Sequence, residues 1–148
     1  MKLNKTITIN CTAEELWDWL VTFEKNQQWN ECLLEVKKIS DGEVKEGFKS
    51  RILMQEGKKK VWYDEEILEY SPHDRLKIAL KGGNLGKSPM IVDYQIIPNN
   101  ANVKINFTSS WMPKGLILKL FHKAITKASD KNAEQELQSL KKQIENQK

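Results

Sequence analysis

The chain has 148 residues, 39% hydrophobic and 30% charged, which is the balance of an ordinary globular protein able to bury a core without staples. Its net charge of +4 is modest, and only Arg51 and Arg75 of its 24 basic residues are arginine, so specific nucleic-acid readout is not expected. The opening MKLNKTITIN has no apolar secretory core and no long apolar run follows, so a cytoplasmic location and no transmembrane segment are expected.

Leu3, Ile7 and Ile9 alternate with Asn4, Thr6, Thr8 and Asn10, the period-two pattern of a half-buried strand over 2–10. Thr12-Ala13-Glu14-Glu15 has the form of a capping box. It predicts a helix over 13–21 with Leu16, Trp17 and Leu20 on one face, then a short helix from Phe23 to Trp29 broken from the first near Thr22. Leu34, Val36 and Ile39 mark the next strand, ended by Asp41-Gly42. Phe48, Ser50, Ile52 and Met54 alternate with Lys49, Arg51 and Gln55, which points the even positions inward. Glu56-Gly57-Lys58 is a hairpin signal.

The strand over 60–70 has two readings, because Trp62, Leu68 and Tyr70 compete with Val61, Tyr63 and Ile67 for the inner face. After the turn Ser71-Pro72-His73-Asp74, Leu76, Ile78 and Leu80 face inward on a short strand. A loop from Gly82 to Pro89 leads to a strand over 90–97 with Met90, Val92, Tyr94 and Ile96 inward. Asn99-Asn100 turns the chain into a last strand that directs Val103, Ile105, Phe107, Ser109 and Trp111 inward.

From Pro113 to Asn146 the chain has no internal proline and no glycine after Gly115, and one helix there would be roughly 50 Å long. Ile117, Leu120, Phe121, Ala124, Ile125 and Ala128 share one side of its first half. A second stripe, Ala133, Leu137, Leu140 and Ile144, is displaced by roughly a third of a turn. Either the helix bends near Ser129-Asp130, the favoured expectation, or its end packs on a different strand or a partner subunit.

Four local motifs in this order resemble a known family. Thr12-Ala13-Glu14-Glu15-Leu16-Trp17 with Phe23 and Trp29-Asn30 looks like its opening, and Gly42 with Glu46-Gly47 like its paired glycines. Ile67, Tyr70-Ser71-Pro72 and Arg75-Leu76 resemble its strand corner, and Leu140-Lys141-Lys142 with Glu145 its helix ending. The resemblance is to the START-like, or SRPBCC, superfamily, which includes polyketide cyclases/dehydrases, lipid-transfer domains and the birch-pollen allergen type. It implies an α+β helix-grip fold forming a single domain over 1–148. About seven curved antiparallel strands would wrap a long C-terminal helix, with two short helices after the first strand. A bent sheet cannot press every inner side chain against one straight rod, so an apolar cavity is expected between them.

No catalytic motif stands out. His73 lies in a polar turn and His122 at the helix flank, and the two histidines with the distant Cys11 and Cys32 give no zinc set. The two cysteines suit free thiols in a reducing compartment. Asp64, Glu65 and Glu66 are consecutive on a strand, so at least one points inward if pairing is regular. A buried carboxylate would be the best general base, with Tyr63, Tyr94 or Asp93, although acids paired with lysines on the outer face are the plainer expectation. The glycine-rich loop lacks the strand–loop–helix context of a phosphate cradle and is expected to be a hairpin loop or a lid. Lys119, Lys123, Lys127 and Lys131 recur at every fourth position, a solvent face or a docking row for an anionic surface.

The expected function is therefore binding or carriage of a hydrophobic small molecule or lipid, without cofactor or metal. Its lining would come from Met54, Leu80, Met90, Tyr94, Phe107 and Trp111, facing Ile117, Leu120, Phe121 and Ala124 of the helix. Ser109, Tyr94 or a residue of the ambiguous strand, such as Trp62, would orient a polar end. A cyclase/dehydratase-like enzyme using an inward carboxylate or tyrosine is the alternative, and a protein or ribosome interaction module using the basic helix face is a third. An inward acid beside a tyrosine would favour chemistry, and a wholly apolar cavity would favour carriage.

Overall fold

The computed structural model describes residues 2–112 and 122–147. Strand β1 (Lys2–Ile9) is followed by helices α1 (Ala13–Val21) and α2 (Phe23–Trp29). Strands β2 (Leu33–Lys38), β3 (Lys49–Glu56), β4 (Lys59–Ser71), β5 (Arg75–Lys81), β6 (Met90–Asn99) and β7 (Asn102–Trp111) come next, and helix α3 (His122–Glu145) follows. The strands form one seven-stranded antiparallel sheet in the order β1-β7-β6-β5-β4-β3-β2. This is a curved sheet with two short helices after its first strand and a C-terminal helix, the helix-grip arrangement that the sequence motifs implied.

Local chemistry sets the helical entry. The Glu15 N–H donates to Thr12 Oγ1 at 3.1 Å and the Thr12 N–H donates to Glu15 Oε1 at 3.3 Å, closing the capping box. Thr22, extended at φ −91° and ψ 118°, ends α1 and starts α2. Two α2 side chains then satisfy carbonyls that α1 leaves open at its end. Asn26 Nδ2 donates to Trp19 O and Leu20 O, and Trp29 Nε1 donates to Trp19 O at 3.0 Å. The helix pair is thereby locked into one bent unit.

The described part of α3 packs through its second half. Ala133, Leu137, Leu140 and Ile144 are all buried in the main core, with Leu140 at 0% exposure. That core also holds Leu16, Trp17 and Leu20 of α1, Ile9 of β1 and Ile105 of β7. Polar ties fix the same stretch to β1: Lys5 reaches Asp130 at 2.9 Å, and Lys141 Nζ donates to Thr8 O at 2.6 Å. The displaced stripe is thus an ordinary core face. Ala124 and Ala128, expected inward, are exposed. Residues 113–121, and with them the expected lining residues Ile117, Leu120 and Phe121, lie outside the described residues.

Two strand expectations are corrected. Register shifts between Leu33 and Glu35, so Leu33 rather than Leu34 turns inward, while Leu34 and Ile39 are exposed. In β4 the odd positions win as far as Ile67, with Tyr63 and Ile67 buried and Trp62 outward, and a register shift between Ile67 and Glu69 then turns Tyr70 onto the main core, 5.1 Å from the Trp17 ring. Trp62 is sheltered on the outer face by Lys37 at 4.8 Å and Arg51 at 5.1 Å from its ring, cation–π contacts that keep a large aromatic on the solvent side.

Because the second stripe carries the packing, Leu140→Ala is expected to destabilise the chain by about 2–5 kcal/mol. Ala124→Ser, at an exposed position, is expected to change stability by less than about 0.5 kcal/mol. Urea unfolding followed by tryptophan fluorescence reads both, and equal losses would contradict this packing.

Candidate binding site

The inner face of the sheet is covered in two separate places. The main core gathers under α1 and the second half of α3, whereas Leu33, Ile52, Tyr63, Leu85 and Trp111 form a second cluster toward the other end. Met54, Leu80 and Met90 are half-buried against that second cluster. Trp111 Nε1 donates to Leu85 O at 3.2 Å, and Glu56 accepts from the Tyr63 hydroxyl and the Asn84 amide. Gly83 lies so close to the Tyr63 ring that an added Cβ would stand 2.5 Å from it. The glycine-rich loop is therefore a fitted plug over the sheet end, neither a phosphate cradle nor a loose hairpin.

Beneath the helix pair lies a hollow of about 80 Å³. Its roof is Leu20 and Val21 of α1 with Phe23, Asn26, Trp29 and Asn30 of α2 and its end. Its floor is the inner face of β2 to β6, from Leu33 and Val36 through Ile52, Glu65, Ile67, Leu76 and Ile78 to Tyr94. Among the described residues expected to line a cavity, Tyr94 is the one that lines this hollow. Phe107 is buried against the Tyr94 ring at 5.3 Å between centroids, Ser109 is buried in β7, and Trp111, Met54, Leu80 and Met90 belong with the second cluster. Trp62 and Ala124 face away from the interior.

Glu65 is the inward member of the three consecutive acids. It stands opposite Ser50 on β3, whose hydroxyl hydrogen-bonds to it, and opposite Leu80 on β5. Burial pushes its carboxyl up to about 7, with the Ser50 bond opposing the shift. Glu136 of α3 is also pushed up to about 7 by burial. Burial, then the nearby Glu136 and Glu65 charges, raise the Tyr94 hydroxyl well above the ordinary tyrosine range, so it stays a neutral donor at every physiological pH. Both acids are half-buried, and Glu65 lines the hollow.

Glu136 and Asn30 were missed from sequence. Glu136 is three residues after Ala133 and four before Leu140, so its place on the buried stripe was readable, but an acid on a lysine-rich helix was passed over. Asp93 is confirmed on the outer face, gripped by Arg75 through Nη2 at 2.6 Å and Nε at 3.0 Å. His73 is exposed. Lys123, Lys127 and Lys131 are exposed, and Lys123, Thr126, Lys127, Asp130 and Leu3 line an open groove beside β1. Among the described residues no group of His, Cys, Asp and Glu could hold a metal ion, and Cys11 and Cys32 are not joined in a disulfide.

The family model described as polyketide cyclase / dehydrase and lipid transport matches residues 1–145. This chain belongs to that family. Solved structures share its fold at low identity. Protein TTHA0849 of Thermus thermophilus is 16% identical with a TM-score of 0.79, covering 97% of each chain. Ara h 8.0201 is 12% identical with a TM-score of 0.74, covering 99% of this chain and 98% of its own. DynU16, from the dynemicin biosynthetic locus, is 14% identical with a TM-score of 0.72, and the match covers 99% of this chain and 48% of DynU16. No curated protein matches the sequence. Among the described residues no helix is long and apolar enough to cross a membrane.

The raised carboxyls set the pH dependence of this family member's stability. Each holds its proton to about 7 when folded but only to its ordinary 4.5 when unfolded, so the folded chain binds more protons between those values. Stability from these groups is therefore full below about 4.5 and falls as pH rises to 7. Glu65→Gln is expected to exceed wild type by roughly 1–3 kcal/mol near pH 8, with the gain shrinking sharply near pH 5. Urea midpoints at the two pH values check it, and a variant less stable at the higher pH would refute the buried-acid assignment.

Proposed function

We propose that this chain binds a small, mostly apolar molecule in the hollow under α1 and α2, with the molecule's polar end at Glu65 and Tyr94. The observation that carries the reading is the hollow itself, walled by Val36, Ile52, Ile67, Leu76 and Ile78 and interrupted by one carboxyl. Such a site is apolar enough to desolvate a ligand and polar enough at one point to orient it. Family membership supports the same reading, since the family's description joins lipid transport to cyclase and dehydrase activity.

The inward acid gives proton-transfer chemistry a specific footing as a second reading. A carboxyl that titrates at about 7 divides its population evenly between base and acid near neutrality. The neutral Tyr94 hydroxyl could donate to an oxygen on the same substrate. Dehydration or ring closure of a carbonyl compound needs those two functions and no metal.

Binding is tested with a small apolar probe. Benzene added to isotope-labelled protein is expected to shift the amides of Val36, Ile78 and Tyr94 saturably, and Val36→Trp to abolish the shifts while keeping the fold. Absence of saturable shifts in the wild-type protein would overturn the reading.

A further inference from the structure

The walls of the hollow are chemically one-sided. Apart from the apolar groups they present Glu65, Asn26, Asn30 and Tyr94, and no lysine, arginine or histidine is among the described lining residues. The Asn26 amide already donates to two α1 carbonyls. Asn30 Oδ1 is fully buried and meets no hydrogen-bond donor among the described residues. Glu65 has the Ser50 hydroxyl for one of its acceptor positions, and an ionised carboxylate offers about four.

Acceptors thus outnumber donors, and one of them is an acid with no cation facing it among the described residues. Around Glu65 stand Ser50 from β3, Leu80 from β5, Tyr94 from β6 and the α2 end at Asn30. Glu136 of α3, the other charged group close to Tyr94, is a second acid. A neutral alcohol could fill an acceptor but would leave the carboxylate uncompensated, and an anion would add to the repulsion. A cation with several N–H groups answers both needs.

We propose that the molecule held in the hollow carries a protonated amine, bound by the Glu65 carboxylate and Asn30 Oδ1, with its apolar remainder against Ile52, Ile67 and Ile78. This rests on the binding reading above and adds the chemical class of the ligand. Charge-assisted hydrogen bonds to a desolvated carboxylate are strong enough to dominate selection in so small a space. The preferred guest is therefore a compact hydrophobic amine, and fatty carboxylates are excluded.

The test uses three probes of one shape: benzylamine, benzyl alcohol and benzoate, titrated by NMR near pH 8. The wild-type protein is expected to bind benzylamine at least about tenfold more tightly than benzyl alcohol, with benzoate weakest. Glu65→Gln is expected to remove that preference by bringing benzylamine down to the level of benzyl alcohol, and Asn30→Leu to weaken benzylamine severalfold. Equal binding of amine and alcohol, or an amine preference that survives Glu65→Gln, would overturn the proposal and leave the hollow as a neutral binding site. Failure of all three probes to shift the lining amides would remove the binding reading as well.

Discussion

Seven strands joined in one open sheet have a single apolar face to cover, and the architecture depends on how two helical units divide that face. The second half of α3 seals one portion with Ala133, Leu137, Leu140 and Ile144. The α1–α2 unit, bent at Thr22 and locked by Asn26 and Trp29, covers another. Because α2 is held to α1 by its own side chains, it bridges the floor of β2 to β6 instead of settling into it. Space remains underneath, and close packing elsewhere makes that space a feature of the fold rather than slack.

Into that space the chain directs an acid. A carboxyl buried without a cation destabilises the folded state at neutral pH, so a leucine or methionine at residue 65 would make a more stable protein. Groups that lower stability while facing a hollow are where function is to be sought, because packing alone gives no reason for them. The outer face shows the contrast: Asp93 with Arg75 and Asp64 with Arg51 are acids placed beside guanidinium groups.

Much of this was legible in the sequence, and the failures have physical causes. Alternation identified the inward residues of β1, β3, β5, β6 and β7 because each has one apolar and one polar face. It was ambiguous in β4 because Trp62 is kept outside by two cations, Glu65 faces the hollow, and a register shift after Ile67 turns Tyr70 inward out of phase with Tyr63 and Ile67. The bulge at Leu33–Glu35 shifted the phase of β2, which no period-two count can register. Helical spacing found the stripe that packs, but could not say that Ala124 and Ala128 would be left facing solvent. The position of the hollow was not readable at all, since it follows from how α2 is tied to α1, a tertiary matter of two side chains and two carbonyls.

The central claim is that Glu65 points into the hollow under α1 and α2 and not into open water. It is tested most directly by following the Glu65 side-chain carboxyl carbon through a pH titration by carbon-13 NMR. The account predicts a midpoint near 7. A midpoint at the ordinary glutamate value of 4.5 would place the carboxyl in solvent and contradict the site.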